Sequence, residues 1–183
     1  DIVVQGHTLY AVTDKAIQAV PKPFFKALSD GMNRKAQGYA REILRNVKDL
    51  PEGTEAAISF AIDGSLKHVF TGTGPDMSVA IRGMRQSYIL LHNHASNDIL
   101  SPEDILALIR HDNMVAIGAV GNKGALFTCE KVFGYSREKA VSFYQSILGQ
   151  YPEMHVNLEQ RVQFMQSFMK GAEKYGLHFS SPG

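Results

Sequence analysis

A single cysteine, Cys129, is all that the 183 residues contain, so there is no internal disulfide framework and nothing demands an oxidising compartment. Cys129 stands in the apolar, strand-like run "GALFTCEKV" with no base obvious nearby, and is expected to be a small buried core residue. Charge bias is missing as well. With 19 Lys and Arg against 18 Asp and Glu the formal net charge is +1, which gives no bulk attraction to nucleic acid. No apolar run approaches the ~18 residues of a membrane span, and the N-terminus lacks the basic start and apolar stretch of a secretory signal. Internal repeats and low-complexity tracts are also lacking. The chain begins at Asp1 and not at Met, which reads as a piece of a longer polypeptide. We expect a soluble, cytoplasmic protein with neither a membrane nor a nucleic-acid partner.

What remains is a composition that is 44% hydrophobic and 20% charged, ordinary for a globular domain of this length. Residues 1 to 33 are the least readable. The run "VPKPFFKALSDG" reads as a Pro-marked turn followed by a short helix stopping near Gly31. From Asn33, the spacing of Ala36, Tyr39, Ala40, Ile43, Leu44 and Val47 predicts an amphipathic helix, ended by Pro51 and Gly53. In "EAAISFAIDGSLKHVFTG" the alternation of Ile58, Phe60 and Ile62, with Asp63-Gly64 supplying φ > 0, predicts an antiparallel hairpin. "MSVAIRGMRQ" could form a short helix, and "SYILL" a buried strand.

"SPEDILALIRHDN" reads as a helix with Ile105, Leu108 and Ile109 on one face. "MVAIGAV", "GNKG" and "ALFTCEKV" read as two strands and a turn. Val141, Tyr144 and Leu148 mark one C-terminal helix, and Leu158, Val162, Met165, Met169 and Ala172 another. The sum is an α/β fold with a mixed, largely antiparallel sheet sandwiched by helices and extra helices at both termini. Along the chain it divides into an N-terminal helical extension (1–50), a core (51–135) and C-terminal helices packing on the core (136–183), together one compact domain.

The chemistry concentrates in "ILLHNHASNDILSPED". Histidine is a common zinc ligand, and His92 and His94, at i and i+2 on extended chain, point to the same side. Catalytic zinc takes three protein ligands and keeps one position open, which makes Asp104 a plausible third. Ser101-Pro102-Glu103-Asp104 is equally a helix N-terminus, with Ser as cap and Pro in the first turn. The two roles are compatible. The other histidines, at 7, 68, 111, 155 and 178, assemble into nothing comparable, and the Gly-rich "TGTGPD" lacks the Gly-Lys-Ser/Thr ending of a phosphate loop, though it could border a substrate groove.

These residues resemble the JAMM or MPN-type metallopeptidases, whose signature is an upstream Glu, His-x-His, a loop, Ser, two residues and Asp. "HNH" followed by "SPED" is most similar to the RadC-like bacterial branch, and the resemblance covers roughly Glu55 to Val132. The loop between His94 and Ser101 has six residues and is one shorter than is usual in the family, and Ala95 stands where many members carry Pro. The resemblance implies a cytidine-deaminase-like JAMM/MPN architecture with Zn²⁺ on His92, His94 and Asp104. It also implies Ser101 as an oxyanion-stabilising hydroxyl and a Glu at the start of the first strand as general base. Glu55 fits that place better than Glu52, which lies in the breaker-rich loop. The implied activity is hydrolysis of a peptide or isopeptide bond in a protein or peptide substrate, with ubiquitin or ubiquitin-like conjugates among the substrates the resemblance suggests. An HNH nuclease is a coincidence of spelling, because its three residues come from separate parts of a ββα-metal unit. An amidohydrolase barrel needs ~250 residues. A metal-free MPN-like scaffold is the remaining alternative.

Overall fold

The computed structural model describes residues 8–72 and 84–181. Its framework is a six-stranded sheet in the order β2-β1-β3-β4-β5-β6. The strands are β1 (Glu55–Ala61), β2 (Lys67–Gly72), β3 (Tyr88–His94), β4 (Met114–Gly121), β5 (Leu126–Lys131) and β6 (Leu177–Ser180). Every pairing is antiparallel except β3 with β4, which a crossover through helix α3 (Pro102–Arg110) makes parallel. Buried on both faces, β3 is occluded at every residue, as central strands are.

Each face carries its own core. Ala57, Leu90, Ile117, Ala119 and Cys129 pack with α3, α4 (Arg137–Gln150) and α5 (Leu158–Gly171). Ile58, Phe60, Ile89, Leu91 and Val120 pack with α1 (Asp14–Ala19) and α2 (Asp30–Val47). The mixed α/β sandwich with a mostly antiparallel sheet is therefore as the sequence patterning predicts. Cys129 lies in the core, fully buried, and burial raises its thiol pKa.

The departures are local. No helix stops at Gly31: Ser29 caps α2 by accepting from Met32 N, and Gly31 sits in the first turn of the helix. The Pro-marked segment before it is held as an ordered loop by buried Asn33, whose Oδ1 accepts from Phe25 N at 2.9 Å and whose Nδ2 donates to Phe25 O at 3.1 Å. Glu130 Oε1 and Oε2 accept from Lys26 N and Ala27 N, each at 2.8 Å. These tethers are nonlocal, so helical periodicity could not announce them.

In the β1–β2 turn only Gly64 adopts positive φ, at 80°, and Asp63 instead accepts from Ser65 N. Val162 faces outward, 48% exposed, while its neighbours Phe164 and Met165 are buried. The C-terminal segment is not helical throughout: a short 3₁₀ turn, Ala172–Tyr175, leads into β6, which adds an edge strand to the sheet. Most of "MSVAIRGMRQ", for which a short helix is expected, and most of "TGTGPD" lie outside the described residues; the end of the former, 84–86, is described and is not helical.

Candidate metal centre

Strand β3 leaves the sheet carrying His92 and His94 on the same face as Ala57 and Ala119. On that face α3 begins. Ser101 is its N-cap and accepts from Asp104 N at 3.1 Å, while Asp104 Oδ2 accepts from Ser101 N at 2.9 Å. This reciprocal capping box satisfies two of the amides that every helix start leaves without partners. It also fixes the Asp104 side chain in the first turn, turned back toward the strand end. Behind it, the Tyr144 hydroxyl donates to Pro102 O at 3.4 Å.

The three side chains meet in a tight triangle. His92 Nε2 lies 3.0 Å from His94 Nε2 and 3.0 Å from Asp104 Oδ1, and His94 Nε2 lies 3.1 Å from Asp104 Oδ2. All three residues are buried, 6 to 8% exposed. Ligands held about 2.0–2.1 Å from a tetrahedral ion stand about 3.3 Å apart, so an opening of a few tenths of an ångström would admit one. The group could hold a metal ion.

Proton bookkeeping points the same way. His94 Nδ1 lies 3.1 Å from Asp98 O; a carbonyl only accepts, so Nδ1 carries the proton. That leaves Nε2 of a neutral His94 with its lone pair aimed at a carboxylate, an arrangement that needs a cation between them, either a metal ion or a proton on Nε2. Burial lowers the proton affinity of His94, but Asp104, the Asp98 carbonyl and the charge of Glu55 outweigh it and the net shift is upward. For Asp104, burial raises the pKa, and the two imidazoles reverse this and hold the carboxyl well below the usual range. His92 Nδ1 is buried with no hydrogen-bond partner among the described residues.

Glu55 opens β1 on the same sheet face, two residues before Ala57, which pairs with His92. It is partly buried, whereas Glu52 is exposed in the turn ahead of the strand. Thus His92, His94 and Asp104 come together, Ser101 caps the helix beside them, and Glu55 is close enough for its charge to act on His94. His7 lies outside the described residues. The other histidines serve elsewhere: His111 Nδ1 contacts Ala107 O at the end of α3, and His178 Nδ1 contacts Glu173 Oε1. His68 lies on exposed β2, and His155 Nδ1 stands 3.6 Å from Glu103 Oε1.

No protein-family model, curated protein or solved structure matches the chain. Sequence reasoning passed over Asn93, the residue between the two histidines, which is fully buried. A polar residue inside the occluded run "YILLHNH" was the available signal. It also passed over an apolar cleft of about 150 Å³ lined by Ile99, Leu100, Phe127, Met169 and Phe179. Phe127 pairs with Ala119, which pairs with His92, so the cleft lies on the same face, two strand spacings or about 10 Å from the triad. No helix among the described residues is long and apolar enough to cross a membrane.

Proposed function

We propose that the chain is a zinc-dependent metallopeptidase of the JAMM/MPN type, hydrolysing a peptide or isopeptide bond. The observation that carries this reading is the buried convergence of two imidazole nitrogens and a carboxylate within 3.1 Å of one another, with a second carboxylate and a hydroxyl beside them. Two nitrogens and one oxygen form a donor set that suits zinc, and three protein ligands leave a fourth position open.

A zinc ion bound there supplies Lewis-acid activation, bringing the pKa of a water molecule near 7. The chain's own residues do the rest. Glu55 accepts the water's proton and delivers it to the leaving amine. Capping uses a lone pair of the Ser101 hydroxyl and not its proton, so Ser101 is free to donate to the oxyanion that develops on the carbonyl. Asp98 O holds His94 in the tautomer that presents Nε2. The apolar cleft offers a contact for a side chain of a polypeptide substrate, and ubiquitin or a ubiquitin-like conjugate is the class we favour.

One observation favours the metal-free scaffold as a second reading: with His94 protonated, Asp104 accepts from the Nε2 groups of both imidazoles without an ion, although His92 Nδ1 keeps no partner among the described residues. Metal analysis separates the two. Protein purified without chelator is expected to hold about one zinc per chain, lost in His92→Ala and His94→Ala. A wild type that takes up no zinc overturns the enzyme reading. Substrate is then sought among ubiquitin and ubiquitin-like conjugates and fusions, with His94→Ala as the blank.

A further inference from the structure

Regular pairing of β1 with β3 ends at Ala57 opposite His92. Alternate residues of β1 direct their backbone N–H groups at β3. Ile62 N donates to Ser87 O at 3.1 Å, and the same phase, continued down the strand, brings Ala56 N to face β3. In an unbroken ladder Ala56 N–H would reach the backbone carbonyl of Asn93. It goes instead to the side-chain Oδ1 of Asn93, at 2.8 Å.

That side chain is locked from behind. Asn93 Nδ2 donates to Asn122 Oδ1 at 3.0 Å, and Asn122 Nδ2 donates to Tyr10 O at 2.7 Å. Asn122 N donates to His94 O at 3.0 Å. Both asparagines are buried, Asn93 completely. A buried polar chain with its partners satisfied is rigid, because every alternative orientation leaves a donor or acceptor without a partner.

We propose that Asn93 is a spacer whose amide, inserted where a backbone rung belongs, holds the start of β1 off the end of β3 and so fixes the gap across which Glu55 faces His94. The functional consequence rests on the reading of Glu55 as general base. Were the ladder to close by one more rung, Glu55 and His94 would form a non-hydrogen-bonded pair with Cα atoms about 4.5 Å apart. The Glu55 carboxylate would then fall among His92, His94 and Asp104 as a fourth protein ligand and close the open position that hydrolysis requires. With the amide inserted, the pairing stops at Ala57 and His92, and on this proposal the fourth position is left to a water molecule. Asn93 is thus a positioning residue that acts through Glu55.

The test has a readout independent of metal and of activity. In wild-type protein, NMR should show the Hα–Hα cross-strand contact of Ala57 with His92 and none between Glu55 and His94. Asn93→Ala should gain the Glu55–His94 contact. Asn122→Ala, which frees the amide without deleting it, should gain it in part, and it serves for the comparison should Asn93→Ala fail to fold. In Co²⁺ titrations Asn93→Ala should bind at least about tenfold more tightly than wild type, the scale on which support residues alter metal affinity. That gain should vanish in the Asn93→Ala/Glu55→Gln double variant. A Glu55–His94 contact already present in wild type, its absence in both variants, or tighter binding that survives Glu55→Gln would overturn the proposal. If wild type binds neither zinc nor Co²⁺, the functional reading fails, and the Hα contacts still decide whether Asn93 is the spacer.

Discussion

Glu103 and Arg161 are joined by two parallel hydrogen bonds, Arg161 Nη1 to Oε1 at 2.7 Å and Nη2 to Oε2 at 2.8 Å. The pair ties the first turn of α3 to α5, one residue away from Asp104. Breaking a fully buried pair costs about 3–5 kcal/mol. The Glu103 side chain keeps 25% of its exposure, so Arg161→Met should cost about 2–3 kcal/mol in urea unfolding. Because α3 carries Asp104, the same variant should also weaken zinc binding.

Metal occupancy should stabilise the fold through mass action. Free zinc at about 100 times its dissociation constant adds about 2.7 kcal/mol. Differential scanning calorimetry should show wild type losing that increment when chelator is added. His92→Ala, His94→Ala and Asp104→Ala should give the same transition with and without chelator.

Glu55 and Glu52 are three residues apart but differ in setting, one on the site face of β1 and the other exposed in the turn. Glu55→Gln should keep its zinc and lose turnover by about 10²-fold or more, the scale of a general base. Glu52→Gln should change neither. Single-turnover cleavage beside metal analysis measures both. Full activity in Glu55→Gln together with loss in Glu52→Gln would transfer the role to Glu52.

Gly121 ends β4 against the loop that follows His94. A Cβ there would lie 1.9 Å from Asn97 Oδ1 and 2.9 Å from Asn97 Cα. Asn97 already holds a φ of 59° and is next to Asp98, whose carbonyl orients His94. Gly121→Ala should therefore cost about 1–3 kcal/mol and lower zinc affinity about tenfold. Thermal unfolding and metal titration test this together.

Lys131 is drawn down to about 8 by burial, its Nζ donating to His111 O at 2.9 Å. The unfolded chain, with an ordinary Lys, binds more protons than the folded one between pH ~8 and ~10.4, so this group adds stability as pH rises through that window. Below it the cost of the half-buried cation is present in full. In urea titrations the stability difference between Lys131→Met and wild type should shrink from pH 8 to pH 10.5. A difference that does not change with pH would assign the cost to packing.

Much of this molecule is legible in one dimension. Helical spacing over Ala36 to Val47, alternation over Ile58 to Ile62 and the Ser101-Pro102 start signal each depend on local geometry, and local geometry is what periodicity and capping encode. What failed to read did so for a nonlocal reason. Gly31 looks like a stop until Ser29 is seen capping the helix through it, and Leu177–Ser180 becomes a strand only because β5 offers it an edge.

At the site the division is the same. The letters His92, His94 and Asp104 determined by themselves a donor set that could hold a metal ion, since ligand type and spacing along a strand, loop and helix start are sequence properties. Only the tertiary structure decided that the donors converge within 3.1 Å and that Glu55, 37 residues before His92 in the chain, stands on the same face. It alone made Asn93 more than a spacer letter in "HNH". The physical reason is the sheet: strand register places residues distant in sequence opposite one another, and a side chain standing in for a backbone rung is visible only once that register is known.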